Sequence, residues 1–300
     1  MIPYFEQPSI RVGPLTIYAF GIIVAASVLV GFAIGGRRFR QYSLDARLGE
    51  QLGGYVVACG FLGAHLFAVL FYFPEKIVRD PLILLRVWED LSSFGGIVGA
   101  FIGLWLFFRL KGASLAPVTR WAYVDVAAYV FPMSLAIGRI GCALAHDHPG
   151  RVTSFPLAVS LESASAQAYI TNVYAVAGRL AELPSAPMLR QLGFHDLGLY
   201  ELLYLAAIVV PVTLALARKD RAPGTFLMSF VAMYMPVRFA LDFLRVSDAR
   251  YAGLTPAQWM AMLLLAALPV LSWRRRRMLA AASSLGVVLI PVAIVAACRS

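Results

Sequence analysis

Eight apolar stretches, each long enough to cross a bilayer, recur along the chain at about residues 15–36, 51–73, 93–110, 121–145, 198–217, 224–244, 256–273 and 278–297. A crossing helix needs about 20 predominantly apolar residues. Within hydrocarbon, backbone polar groups must be satisfied inside the segment or in a closed barrel. No period-2 alternation suggests a barrel, so the expected fold is an all-α, polytopic transmembrane helix bundle. Composition points the same way, with 60% of the 300 residues hydrophobic and 14% charged.

A formal net charge of +10 raises the question of nucleic acid, but the placement of the cations answers it. Arg37, Arg38, Arg40 and Arg47 follow the first segment, Arg109, Lys111 and Arg120 the third, Arg218, Lys219 and Arg221 the fifth, and arginines 274–277 the seventh. Every second loop is basic. The intervening loops dilute or offset their charge, as where Lys76, Arg79 and Arg86 meet Glu75, Asp80, Glu89 and Asp90. The positive-inside rule then puts the basic loops in the cytoplasm and the amino terminus outside, with the long 146–197 connection on the outer face. Nucleic acid is not an expected partner.

The first segment lacks a basic leader and a small-residue cleavage site, so a retained helix is expected rather than a cleaved signal peptide. Cys59, Cys142 and Cys298 sit in apolar segments without metal-ligand spacing, and neither a disulfide framework nor a zinc site is expected. The simplest organisation is a transmembrane domain over 1–273 with a small folded cap at 146–197. A basic linker and an extra hydrophobic helix would occupy 274–300. No internal repeat is visible, which counts mildly against a transporter.

Ionisable residues at membrane depth are costly and mark function. Arg139 stands between Gly138 and Gly141 near the end of the fourth segment, and a phosphate or carboxylate is its natural partner. In the sixth segment Tyr234, Arg238 and Asp242 recur every four residues, so they share a helix face and Arg238 can pair with Asp242; Arg245 follows one turn later. The bland reading of that stripe is a structural ion pair. Gly95, Gly99 and Gly103 suit close helix packing, while Gly95-Gly96 at a helix start suits an anion held by free N–H groups. Past the membrane exit lie His146, Asp147, His148, Gly150 and Arg151, where His-x-His alone is weak support for a metal. Tyr200 and Glu201 open the fifth segment, and Glu201 is a candidate arginine partner.

Taken together these residues resemble one family, the prolipoprotein diacylglyceryl transferases of bacterial inner membranes. The resemblance runs from the first segment to the seventh. Its most specific piece is Gly138-Arg139-Ile140-Gly141 closing with Gly150-Arg151. The Tyr234, Arg238, Asp242 and Arg245 stripe supports it, as do Gly95-Gly96-Ile97-Val98-Gly99, His195 with Leu199-Tyr200-Glu201, Leu62-Gly63-Ala64 running to Phe71-Tyr72, and Gly13-Pro14 ahead of Gly21. It implies a seven-helix core with a small periplasmic cap, and the eighth segment has no counterpart in that pattern. It implies transfer of the diacylglyceryl group of phosphatidylglycerol to the lipobox cysteine thiol of a preprolipoprotein, leaving a thioether and releasing glycerol phosphate. The partners would be phosphatidylglycerol, lipobox signal peptides and the bilayer, with no metal and no cofactor.

On that resemblance Arg139 and Arg238 would stabilise the charge gathering on the phosphate leaving group. Tyr234 would orient the phosphate or glycerol, and Asp242 would hold Arg238. Gly95, Gly96, Gly138, Gly141, Asp147, Gly150, Arg151, Tyr200, Glu201 and Arg245 would complete the substrate site.

Departures from the family pattern put the base in question. Phe94 replaces a histidine, Cys142 and Ala145 replace asparagines, His65 replaces an arginine, Phe20 a tyrosine and Asp147 a glutamate. His65 is the leading replacement base, although a lone helical histidine is more often packed and hydrogen-bonded. Cys142 is a small inert hydrophobe or a self-acylating nucleophile. Two alternatives are a diverged paralogue, binding anionic phospholipid without this reaction or modifying another acceptor, and a lipid-translocating protein.

Overall fold

A computed structural model of the chain describes residues 1–13, 15–87, 91–248 and 250–284. After a two-stranded hairpin, β1 (Ser9–Val12) and β2 (Leu15–Tyr18), come α1 (Ala19–Gln41), α2 (Ala46–Phe67), α3 (Pro74–Arg79), α4 (Ser93–Leu110) and α5 (Pro117–Ala145). The outer connection holds β3 (Pro149–Thr153), β4 (Val159–Ser160), α6 (Ala164–Val176), α7 (Ala186–Leu189) and β5 (Gly193–Asp196). The remainder is helical: α8 (Leu197–Tyr204), α9 (Val210–Leu216), α10 (Thr225–Leu241) and α11 (Pro256–Ser284), with a π-helical turn joining α8 to α9.

Six helical stretches among the described residues are long and apolar enough to span a membrane, and α4 adds a shorter apolar helix over Phe94–Leu110. These match the first seven apolar segments of the sequence, and the chain is a multi-pass membrane protein. Large apolar side chains such as Leu29, Trp105 and Leu263 are exposed, as hydrocarbon-facing residues must be. Most of the eighth segment, and Cys298 with it, lies outside the described residues. The 274–277 arginines, expected in a linker, lie within α11, whose helix runs on to Ser284. The N-terminal hairpin is a difference from the sequence reading: residues 15–18, counted there as membrane helix, pair with β1 across a turn in which Gly13 takes φ +60°.

The chain divides into two compact units, Met1–Gly31 with Ala128–Val270, and Phe32–Ala127 with the residues from Leu271. In the second, α2 and α4 touch backbone to backbone. A Cβ added at Gly99 would fall 2.1 Å from the Cys59 carbonyl oxygen, and one at Gly103 2.4 Å from that of Tyr55. Gly63 and Gly95 oppose each other just as closely. Small residues allow this approach where no hydrophobic effect drives helices together. Gly99→Ala should therefore destabilise the protein by about 1–3 kcal/mol, read as a lowered thermal unfolding temperature in detergent. Gly54→Ala, which meets nothing within 4 Å, is the control, and equal behaviour of the two variants would refute this contact.

The 146–197 connection is folded. Strands β3 and β4 flank β5, all antiparallel, and Val159, Leu161, Ile170, Tyr174, Leu189 and Phe194 form a buried apolar core beneath. Ile2 extends this sheet: its N–H donates to the Ala158 carbonyl and its carbonyl accepts from the Ser160 N–H, both at 2.8 Å.

Candidate active site

The first unit gathers most of the expected site residues around one carboxylate. Asp196 caps α8, its Oδ1 accepting the Leu199 N–H at 3.0 Å, and one turn on, the helix presents Glu201, fully buried. Glu201 Oε2 takes the Arg139 Nη2 of α5 at 2.7 Å and the Tyr234 hydroxyl of α10 at 2.5 Å. Arg238 Nη1, a turn below Tyr234, stands 3.0 Å from Oε1. Two guanidinium groups and a phenol thus converge on one anion. Removing ions from water is costly, and only such mutual pairing holds them at this depth.

The i, i+4 pairing read from the sequence is present, with Arg238 Nη1 bonded to Asp242 Oδ1. The other oxygen of Asp242, also fully buried, accepts the Thr255 hydroxyl. Thr255 and Gln258 then cap α11 reciprocally, Thr255 N–H to Gln258 Oε1 at 2.9 Å and Gln258 N–H to Thr255 Oγ1 at 3.2 Å. Arg245 pairs with Asp248 at 2.9 Å and reaches Asp242 at 3.9 Å. Its backbone bridges to Gly150, where a Cβ would fall 2.9 Å from His195 Cβ and 3.0 Å from the Leu244 carbonyl oxygen. Tight passage explains that glycine. Gly141 likewise faces Phe20, 3.1 Å from a built Cβ, while Gly138 meets Ser27 only at 3.9 Å.

Other expected residues stand differently. Arg151 is exposed on β3, and the Tyr200 hydroxyl lies 3.0 Å from His195 Nδ1. In the second unit, the Gly95 N–H donates to Ser92 Oγ at 3.3 Å and the Gly96 N–H to the Ser92 carbonyl at 2.9 Å. The helix start expected to offer free N–H groups at these two positions is therefore capped by the chain itself. His65 is in this unit too, fully buried, its Nε2 donating to the Ile83 carbonyl at 2.9 Å.

From the sequence alone His148 is only half of a weak His-x-His metal pair. It is buried, bonded through Nδ1 to Asp147, and its Nε2 lies 3.3 Å from Arg139 Nη1. The same Nη1 lies 3.3 Å from Cys142 Sγ. Burial holds the His148 pKa below the ordinary histidine value, with the charges of Arg245 and Arg139 adding to it and Asp147 opposing. Burial raises the Asp147 carboxyl, but the hydrogen bond and charge of His148, with Arg139, outweigh it and hold the group below the usual carboxylate range. His146, at φ +50°, pairs with Asp196 at 2.6 Å and stacks on Tyr4. Cys142, Asp147 and His148 bring ligand-type atoms within 4.8 Å of one another, but the Arg139 guanidinium already sits against two of them, and a divalent ion would face its charge.

A family model, Prolipoprotein diacylglyceryl transferase, matches residues 7–274. The chain belongs to this family. Among curated relatives it is 26% identical to the phosphatidylglycerol–prolipoprotein diacylglyceryl transferase of Chromohalobacter salexigens, over 92% of this chain and 94% of that one. It is 29% identical to the protein of that name from Cupriavidus necator, over 94% and 97%. The Pseudomonas paraeruginosa protein of the same name is 27% identical over 92% and 96%. In this transferase family setting, the charged set around Glu201 spans the matched region from α5 to α10.

Proposed function

We propose that this transferase moves the diacylglyceryl group of phosphatidylglycerol onto the lipobox cysteine thiol of preprolipoproteins, the first step of bacterial lipoprotein maturation. The observation that carries the reading is the buried convergence of Arg139, Arg238 and Tyr234 on Glu201 in a chain of this family. A phosphate departing from the glyceryl carbon gathers negative charge. Guanidinium groups held in a low-dielectric setting meet that charge without reorganising. Arg139 is the first contact, because its buried Nε has no hydrogen-bond partner among the described residues, leaving a donor for an anionic oxygen. Asp242 fixes the rotamer of Arg238, and Thr255 fixes Asp242.

The enzyme would work in the bacterial inner membrane with its amino terminus and the 146–197 cap outside, where lipobox signal peptides arrive. Transfer of labelled diacylglyceryl from phosphatidylglycerol to a lipobox peptide by the purified protein tests this. The expected product is a thioether-linked peptide from the cysteine form and none from a serine form. Lipid binding without transfer would instead mark a paralogue that keeps the lipid site and lacks the reaction.

A further inference from the structure

The reaction proposed above needs a base for the incoming thiol, since the thiolate is the nucleophile. Phe94 at the start of α4 is apolar and packs edge-on against Phe67 at 4.9 Å between ring centroids, and His65 spends its Nε2 on a backbone carbonyl. We propose that His148, oriented by Asp147, is the general base that deprotonates the acceptor thiol beside Arg139. This inference rests on the transferase reading.

Geometry carries it. A carboxylate oxygen can only accept, so the Asp147 contact fixes the proton on Nδ1 and leaves the lone pair on Nε2. That lone pair points to Arg139 Nη1, a guanidinium nitrogen that can only donate. The Nη1 contacts to His148 and Cys142 are both long, 3.3 Å, and a phosphate drawing Nη1 to itself frees Nε2 within reach of the same lipid. Asp147, its side chain 33% exposed, opens the dyad to solvent. The charged groups facing the ring are Arg139, Arg245, Asp147 and Glu201. Burial first, with Arg245 and Arg139 against Asp147, holds the imidazole below the ordinary histidine pKa, which favours the neutral, accepting ring at neutral pH.

In the step, the thiol proton passes to Nε2 and sulfur bonds to the glyceryl carbon. The carbon–oxygen bond breaks, and its electron pair leaves on the phosphate oxygen of the released glycerol phosphate. That monoester, with a second pKa near 6, takes the proton back from Nε2.

The test is transfer to a lipobox peptide by wild type, His148→Gln and Asp147→Asn across pH 6 to 9.5, with thermal unfolding of each as the folding control. His148→Gln should lose about 10²–10⁴-fold in kcat near pH 7 with KM little changed. The loss should shrink steadily toward high pH, where a peptide thiol of pKa about 8.5 ionises unaided. Asp147→Asn, altering a partly exposed side chain, should show a smaller loss with the same recovery. His148→Gln at the wild-type rate would overturn the assignment. So would a loss of equal size at every pH in both variants, which would make His148 a positioning residue for Arg139. An inactive wild type would overturn the transferase reading itself, separately from either of these results.

Discussion

Arg139→Ala should abolish diacylglyceryl transfer, with a loss of at least about 10³-fold in kcat, the scale seen when one preorganised donor or arginine is removed from a site of charge development. Arg139→Lys should fail nearly as badly. The guanidinium spends Nη2 on Glu201 at 2.7 Å and places Nη1 between His148 and Cys142. An ammonium is a point charge on a flexible stem and cannot hold those directions together with a phosphate oxygen. Arg238→Ala should behave alike, since Arg238 bridges Glu201 and Asp242. The check is the same peptide assay at saturating phosphatidylglycerol, with thermal unfolding measured in parallel. Full activity in either alanine variant would remove these residues from the reaction.

Glu201 carries the largest expected effect on stability. Deleting one partner of a buried ion pair costs about 3–5 kcal/mol, because the other charge is left uncompensated. Here two guanidinium groups lose their anionic partner and a phenol its acceptor together. Glu201→Leu should therefore lower the thermal unfolding midpoint by many degrees and yield little folded protein. Glu201→Asp, one methylene shorter, keeps the charge but cannot reach both arginines from the same backbone position, so it should fold with reduced activity. Wild-type stability in Glu201→Leu would show that the arginines find other partners.

How much of this was legible in the sequence depends on the range of the interaction. The seven apolar helices were plain, because length and hydropathy in a bilayer leave little choice of structure. Arg238 with Asp242 was legible because a helix fixes its own i, i+4 neighbours. So was the glycine face of α4, although the sequence alone could not separate packing from anion binding. Glu201 was only one candidate partner among several, since its contacts with Arg139 and Tyr234 depend on how α5, α8 and α10 pack. The contact of His148 with Arg139 was hidden for a different reason. It lies just beyond the end of α5, where the positive φ of His146 turns the chain, and no helical period relates it to Arg139. The N-terminal hairpin was hidden because its second strand reads as a continuation of the apolar run that follows it.

Three guanidinium groups, on Arg139, Arg238 and Arg245, are matched by three carboxylates, on Glu201, Asp242 and Asp248. Each of these three cations already has an anionic partner. On the proposed reading, an arriving phosphodiester would share cations that have anionic partners, and a departing phosphate monoester would leave those partners ready to close again. Binding would then be weaker than two bare arginines give, and that moderation would favour turnover: affinity spent equally on substrate and product slows release without speeding the chemistry.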